Sequence, residues 1–157
     1  MLTQFQSYFT FEAIYLWANF GVLPFWFMLI FVPNSKITQI FVNSIILPLI
    51  LASAYCFAIY QAILLDEPIF EIFKLYLNFD NLYTIFATES FLLVFWLHFL
   101  ALNLFLGSWV SRDGIKYSIP RGLISVPLIL IYFTGPVGLV LYWMIRIFYA
   151  KKLGFHD

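Results

Sequence analysis

One ionisable ring stands inside a long neutral stretch of this sequence. His98 falls within Ser90–Ser111, a run that holds no Asp, Glu, Lys or Arg. A histidine in such a run either makes an interhelical hydrogen bond or takes part in proton transfer or ligand contact. At about 100° per residue, His98, Phe105, Trp109 and Arg112 share one helical face, and Glu89, Trp96, Asn103 and Gly107 share another. Arg112 and Asp113 follow directly. They suit either a membrane-edge anchor or a contact for the polar end of a long apolar ligand. Earlier in the chain Glu12, Asn19 and Trp26 recur every seven residues, hence on one face. Asn19, with Gly21 and Pro24 after it, predicts a packing surface toward the helix that carries His98. Thr134-Gly135-Pro136-Val137-Gly138 is the sharpest break in the chain. It reads as a kink, or as a point where a backbone or a flat ligand approaches closely.

Several chemistries are excluded by what is missing. Cys56 is the only cysteine, so no internal disulfide or thiolate cluster forms. His98 and His156 are too few for a histidine-rich iron site. Eight basic and eight acidic residues cancel, leaving no electrostatic basis for nucleic-acid binding. No cofactor and no metal is expected.

The elements that must carry these residues follow from where charge is absent. The chain has 157 residues, 64% hydrophobic and 10% charged, unlike a water-soluble domain. Four uncharged windows, Ala13–Ser35, Ile37–Leu65, Ser90–Ser111 and Gly122–Ile145, are each long enough to cross a bilayer, which takes about 20 residues. The expected fold is all-α, a single transmembrane domain over 1–157 with four spanning helices at about 13–35, 40–64, 90–111 and 122–146. No basic residue precedes the first window, so it is not expected to be a cleaved signal peptide. Between the second and third helices, Ile69, Ile72, Phe73, Tyr76 and Leu77 fall on one side at helical spacing. They predict a short amphipathic helix over 68–78, either interfacial or packed as a lid. Trp17, Trp109, Tyr142 and Trp143 lie near predicted helix ends, as interfacial aromatics do.

With four spans, orientation is a tie. Lys74, Arg146, Lys151 and Lys152 face one side, and Lys36, Arg112, Lys116 and Arg121 face the other. A re-entrant hairpin at Gly135–Pro136 would instead set seven basic residues against Lys74. The length of Gly122–Ile145, one span and not two, favours the four-span reading.

Three segments carry a family resemblance. The first is Leu23-Pro24-Phe25-Trp26 with Val32-Pro33-Asn34 and Ile37-Thr38. The second runs from Trp96-Leu97-His98-Phe99-Leu100 through Asn103-Leu104-Phe105 to Arg112-Asp113-Gly114. The third is Phe133-Thr134-Gly135-Pro136-Val137-Gly138-Leu139. Together they resemble the neoxanthin-synthase-like family, the product of the plant abscisic-acid-deficiency locus and its bacterial relatives. The likeness covers about Ala18–Tyr60 and Trp96–Arg146. The sequence departs from the family at Asn103, where an acidic residue is usual, and at Ser108, where bacterial members often carry a basic one.

The resemblance implies isomerisation of a 5,6-epoxycarotenoid to an allenic alcohol, a reaction without net redox change. It needs an acid for the epoxide oxygen and a base for a polyene proton. On this reading His98 transfers the proton, Asn103 orients the oxygen, and Arg112 and Asp113 meet the polar ring, with the acid unassigned. Asn19, Trp26, Trp96, Phe105, Trp109 and Gly135 would line the slot. The expected partners are membrane lipid and a carotenoid or other long apolar molecule, with a homo-oligomer left open. The expected location is a bacterial inner membrane, or a plastid membrane in a plant or alga. The alternative functions are a non-catalytic carotenoid-binding or assembly subunit and a small dimeric transporter. The transporter is disfavoured because all eight acidic residues lie outside the windows.

Overall fold

A computed structural model describes residues 10–42, 44, 46–64 and 78–151. Among these residues every regular element is helical. Helix α1 spans Phe11–Phe31. The Thr10 hydroxyl starts it by accepting from the Ala13 amide at 3.2 Å, and Glu12 sits in its first turn, where a carboxylate suits the helix dipole. Beyond α1, Thr38 donates to the Val32 carbonyl at 2.7 Å. Ser35 Oγ in turn accepts from the Thr38 amide at 3.0 Å. Thr38–Val42 then winds as a π-helix. Helix α2 spans Ile46–Leu64. It therefore starts later than the expected residue 40. Pro48 falls in its first turn, where the missing N–H costs least.

The amphipathic helix expected over 68–78 falls on residues outside those described, apart from Asn78. Asn78 caps a different helix, α3 (Phe79–Phe86), by accepting from the Asp80 amide at 3.2 Å. Helix α4 spans Glu89–Lys116. It runs past the expected residue 111 because Arg112, Asp113 and Lys116 remain helical instead of ending the element.

The largest correction concerns the fourth window. It is two helices, α5 (Arg121–Thr134) and α6 (Pro136–Ala150). Each is about 21–23 Å long at 1.5 Å per residue, short of the roughly 30 Å hydrocarbon layer. Among the described residues three helices, α1, α2 and α4, are long and apolar enough to cross a membrane. Gly135, at φ 60 and ψ −86, makes the break. That region lies near the γ-turn geometry that residues with side chains avoid. Pro136 then begins α6 at a position that needs no donor.

The chain divides into two compact units. The first comprises residues 1–20 and 49–101. Its described core joins Ile14 of α1, Ala58 of α2 and Leu93, Val94 and Leu97 of α4. Ala18 and Ala54 pack against this core, and such small residues let membrane helices approach closely. Phe86 of α3 meets Phe91 and Phe95 of α4 edge-on, with ring centroids 5.1 and 4.9 Å apart.

The second unit comprises residues 21–48 and 102–157. Within it α5 and α6 fold back on each other. A Cβ placed on Gly138 would meet the Ile131 backbone and stand 2.5 Å from the Pro127 carbonyl. Such contacts, eleven residues apart along the chain, cannot occur in one continuous helix. The turn at Gly135 lies against Asn103, whereas Ile124 packs on Gly114 and Arg146 reaches Asp113. Helix α5 thus runs antiparallel to the end of α4, and α6 runs back alongside it. The last segment enters and leaves at one end of the unit.

Lys116, Arg121, Arg146 and Lys151 consequently share that end. Lys36 follows Asn34, which lines a cavity with Ser118 and Arg121. If the chain sits in a bacterial inner membrane, the positive-inside rule predicts this end on the cytoplasmic side. In a Cys56→Ser background, Lys36→Cys and Lys151→Cys should react with a membrane-impermeant thiol reagent from the same side. Labelling from opposite sides would restore four spans.

Candidate functional site

The Glu12–Asn19–Trp26 face of α1 meets the α4 stripe that carries Trp96 and Gly107. In the first unit Asn19 donates from Nδ2 to the Tyr15 carbonyl at 2.7 Å. Its Oδ1 accepts from Trp96 Nε1 at 3.1 Å. With its indole N–H satisfied, Trp96 is fixed between Tyr15 and Phe99, at centroid distances of 5.9 and 5.4 Å. In the second unit the same stripes place Trp26 over Gly107, where a Cβ would stand 2.7 Å from the Trp26 ring. Trp26 also meets Tyr132 edge-on at 5.5 Å. The expected packing of the Asn19 face on the third predicted helix is what the structure has.

One turn beyond the Asn19–Trp96 bond, the first unit opens into a cavity of about 580 Å³. Phe11, Tyr15, Leu92 and Trp96 give it apolar and aromatic walls, and Glu12 and Glu89 line it too. Both acids sit in first helical turns and are exposed, so the apolar hollow is open to its surroundings where they line it. Two carboxyl groups beside an apolar ligand lodged in such a hollow can donate a proton and accept one. The sequence reading put both on its two stripes but not among the site residues. Matching the stripes position by position, Glu12 against Glu89 as Asn19 against Trp96, would have found them.

His98 is placed otherwise than expected. It is exposed on α4, with the Tyr55 ring 6.0 Å away. The interhelical hydrogen bond weighed for it is not formed among the described residues. The stripe bearing Trp96, not the one bearing His98, turns inward, because Asn19 gives the indole a partner.

In the second unit Asn103 is 7% exposed, and its amide nitrogen has no partner among the described residues. Its Oδ1 lies where a side chain at Gly135 would stand, 2.6 Å from an ideal Cβ. The close approach expected at Gly135 is therefore made by Asn103. Phe105 is exposed on α4. Arg112 is exposed as well, and its Nε donates to the Ser108 carbonyl at 3.4 Å.

Asp113 does not face outward as a membrane-edge anchor. Its Oδ2 accepts from Tyr142 OH and Arg146 Nε, both at 2.6 Å. Arg146, 1% exposed, also donates from Nη2 to Tyr117 OH at 3.2 Å. Its guanidinium lies 4.8 Å from the centres of the Tyr117 and Trp143 rings. Trp109 packs on Tyr142 and Trp143. This closed cluster pins the hairpin to α4. From the sequence Arg146 reads only as a flanking charge. The four-residue spacings 109–113–117 and 142–146, each on one helix face, were the signal for it.

A family profile described as ABA DEFICIENT 4-like matches residues 13–142. The chain belongs to this family. The ABA DEFICIENT 4-like match takes in α1, α2, α4 and the Gly-Pro turn, and with them nearly all of both polar stripes. Glu12 and Arg146 lie just outside it. No curated protein and no solved structure matches the chain.

Proposed function

We propose that this chain is an integral membrane isomerase that converts an epoxycarotenoid into an allenic xanthophyll, with the reacting ring held in the Glu12–Glu89 cavity. Membership in the ABA DEFICIENT 4-like family is the observation that carries the reading. The cavity supports it by supplying what the reaction needs. One carboxylate removes the proton from the polyene carbon beside the ring. The freed electron pair forms the second of two cumulated double bonds. The epoxide C–O bond at the adjoining ring carbon breaks. The oxygen stays on the neighbouring ring carbon and takes a proton from the other carboxyl group. Atoms and electrons balance, and the product is an isomer of the substrate. Trp96, locked by Asn19, and Tyr15 would hold the ring face so that the two carboxyl groups reach it from one end.

Glu12→Gln and Glu89→Gln should each lower conversion in pigment-bearing membranes by about 10²–10⁴-fold at equal protein level. His98→Ala belongs in the same experiment. A larger loss in that variant than in either glutamine variant would transfer the proton to His98. The second reading is a carotenoid-binding subunit without activity. Asn103, an amide where the family resemblance implies an acid, favours it, and pigment retained by the purified protein but never converted would establish it.

A further inference from the structure

At the cation-rich end of the second unit lies a cavity of about 330 Å³ that the proposed reaction does not use. Its polar lining comes from Asn34, Ser111, Ser118, Arg121 and Ser125. Ser111 is 1% exposed, and its hydroxyl has no partner among the described residues. A buried hydroxyl left unpaired costs about 1–3 kcal/mol, so it marks a place where a ligand oxygen is wanted. The cavity is also bounded by Pro120 and Arg121, the start of α5. That start has no side-chain cap; the Leu123 and Ile124 N–H groups donate to the Pro120 carbonyl, and those of Arg121 and Gly122, ahead of them, have no acceptor within the helix and favour an anion. The Arg121 side chain is exposed at the rim. Ser125 donates its proton to the Arg121 carbonyl at 2.9 Å.

The remaining walls are apolar, with Leu29, Ile124 and Leu128 among them. Ile30 lines both this cavity and a second recess of about 160 Å³ that reaches Phe27 and Phe133 and has no polar surface. A polar pocket and an apolar recess thus adjoin at Ile30, along one seam between α1 and α5. The recess suits one acyl chain, and the pocket suits one phosphate.

We propose that this cavity binds the phosphate head of an anionic phospholipid, held by Ser111, Arg121 and the start of α5, with an acyl chain along the α1–α5 seam. Basic pockets between helices at the cytoplasmic face bind acidic lipid heads in this way. Lys36 and Lys116, near the same end, add to the attraction. The site is independent of the isomerase reading and stands or falls without it.

The test uses the full chain purified in detergent, incubated with dioleoylphosphatidylglycerol or dioleoylphosphatidylcholine and examined by native mass spectrometry. The protein should retain the glycerol lipid over the choline lipid by about fivefold or more, the worth of roughly one arginine at a membrane surface. Arg121→Gln and Ser111→Val should each abolish most of that preference. Arg121 is exposed and its variant is expected to fold, so it carries the test should Ser111→Val fail to. Equal retention of the two lipids, a preference unchanged in Arg121→Gln, or occupation of the cavity by a xanthophyll in place of lipid would overturn the proposal.

Discussion

Replacing Asp113 by alanine should destabilise the protein by about 3–5 kcal/mol, the usual cost of stranding one member of a buried ion pair. Arg146 is 1% exposed, and its Nε pairs with Asp113 Oδ2 at 2.6 Å. Without that carboxylate, the guanidinium loses its 2.6 Å acceptor, while the Tyr117 hydroxyl and the Tyr117 and Trp143 ring faces stay in place. Tyr142, fully buried, loses its acceptor at the same time. The damage falls on the hairpin, since the same oxygen ties two α6 residues to α4. A melting temperature in detergent reads the effect. Asp113→Leu combined with Arg146→Met, which removes both charges and fills their volume, should recover much of the loss. A single Asp113→Ala variant as stable as the parent would mean that the cluster does not hold the hairpin.

Enlarging Gly138 should be the other severe change. A Cβ there meets the Ile131 backbone and the Pro127 carbonyl, and backbone cannot step aside as a flexible side chain can. Overpacking in a tight core typically costs about 1–3 kcal/mol, and Gly138→Leu should reach or exceed the top of that range. Gly138→Ala should be milder but still destabilising. Gly21, which has open space where a Cβ would stand, provides the control. Gly21→Ala should leave the melting temperature unchanged or raise it slightly, because alanine is the better helix former. A Gly138→Leu variant that melts with the parent would contradict the folded-back arrangement of α5 and α6.

The legible part of this fold was the part written in the absence of charge. Lipid admits backbone only where its polar groups are satisfied within the segment, so a neutral run of about 20 residues reads directly as a helix. That logic found α1, α2 and α4 and failed at the fourth window, because length alone cannot tell one span from two half-spans. The deciding information lay in pairs far apart in sequence. Asp113 pairs with Arg146, Gly114 receives Ile124, and Gly138 presses on Pro127. None of these has a local signature. The Gly135–Pro136 dipeptide had one, but a kink and a reversal share it.

The candidate site divided in the same way. The seven-residue spacing of Glu12, Asn19 and Trp26 is a local regularity, and it gave the face that packs on α4. Which face of α4 receives it is a tertiary fact. The lone histidine drew attention by its chemistry, yet the Asn19–Trp96 hydrogen bond turns the other stripe inward and leaves His98 exposed. Glu12 and Glu89 were legible only as members of two helix faces, since both lie outside the neutral runs. Their position at helix starts, just beyond those runs, is what lets two carboxyl groups border an apolar cavity without entering the hydrocarbon layer.

Expression of this protein in a host that accumulates an epoxycarotenoid, followed by pigment extraction and mass-resolved chromatography, is the most direct test of the function. The account predicts a new pigment of the same mass as the substrate, bearing the infrared band of an allene, and its near absence with Glu12→Gln or Glu89→Gln. An unchanged pigment profile, with the protein present in the membrane fraction, would contradict it.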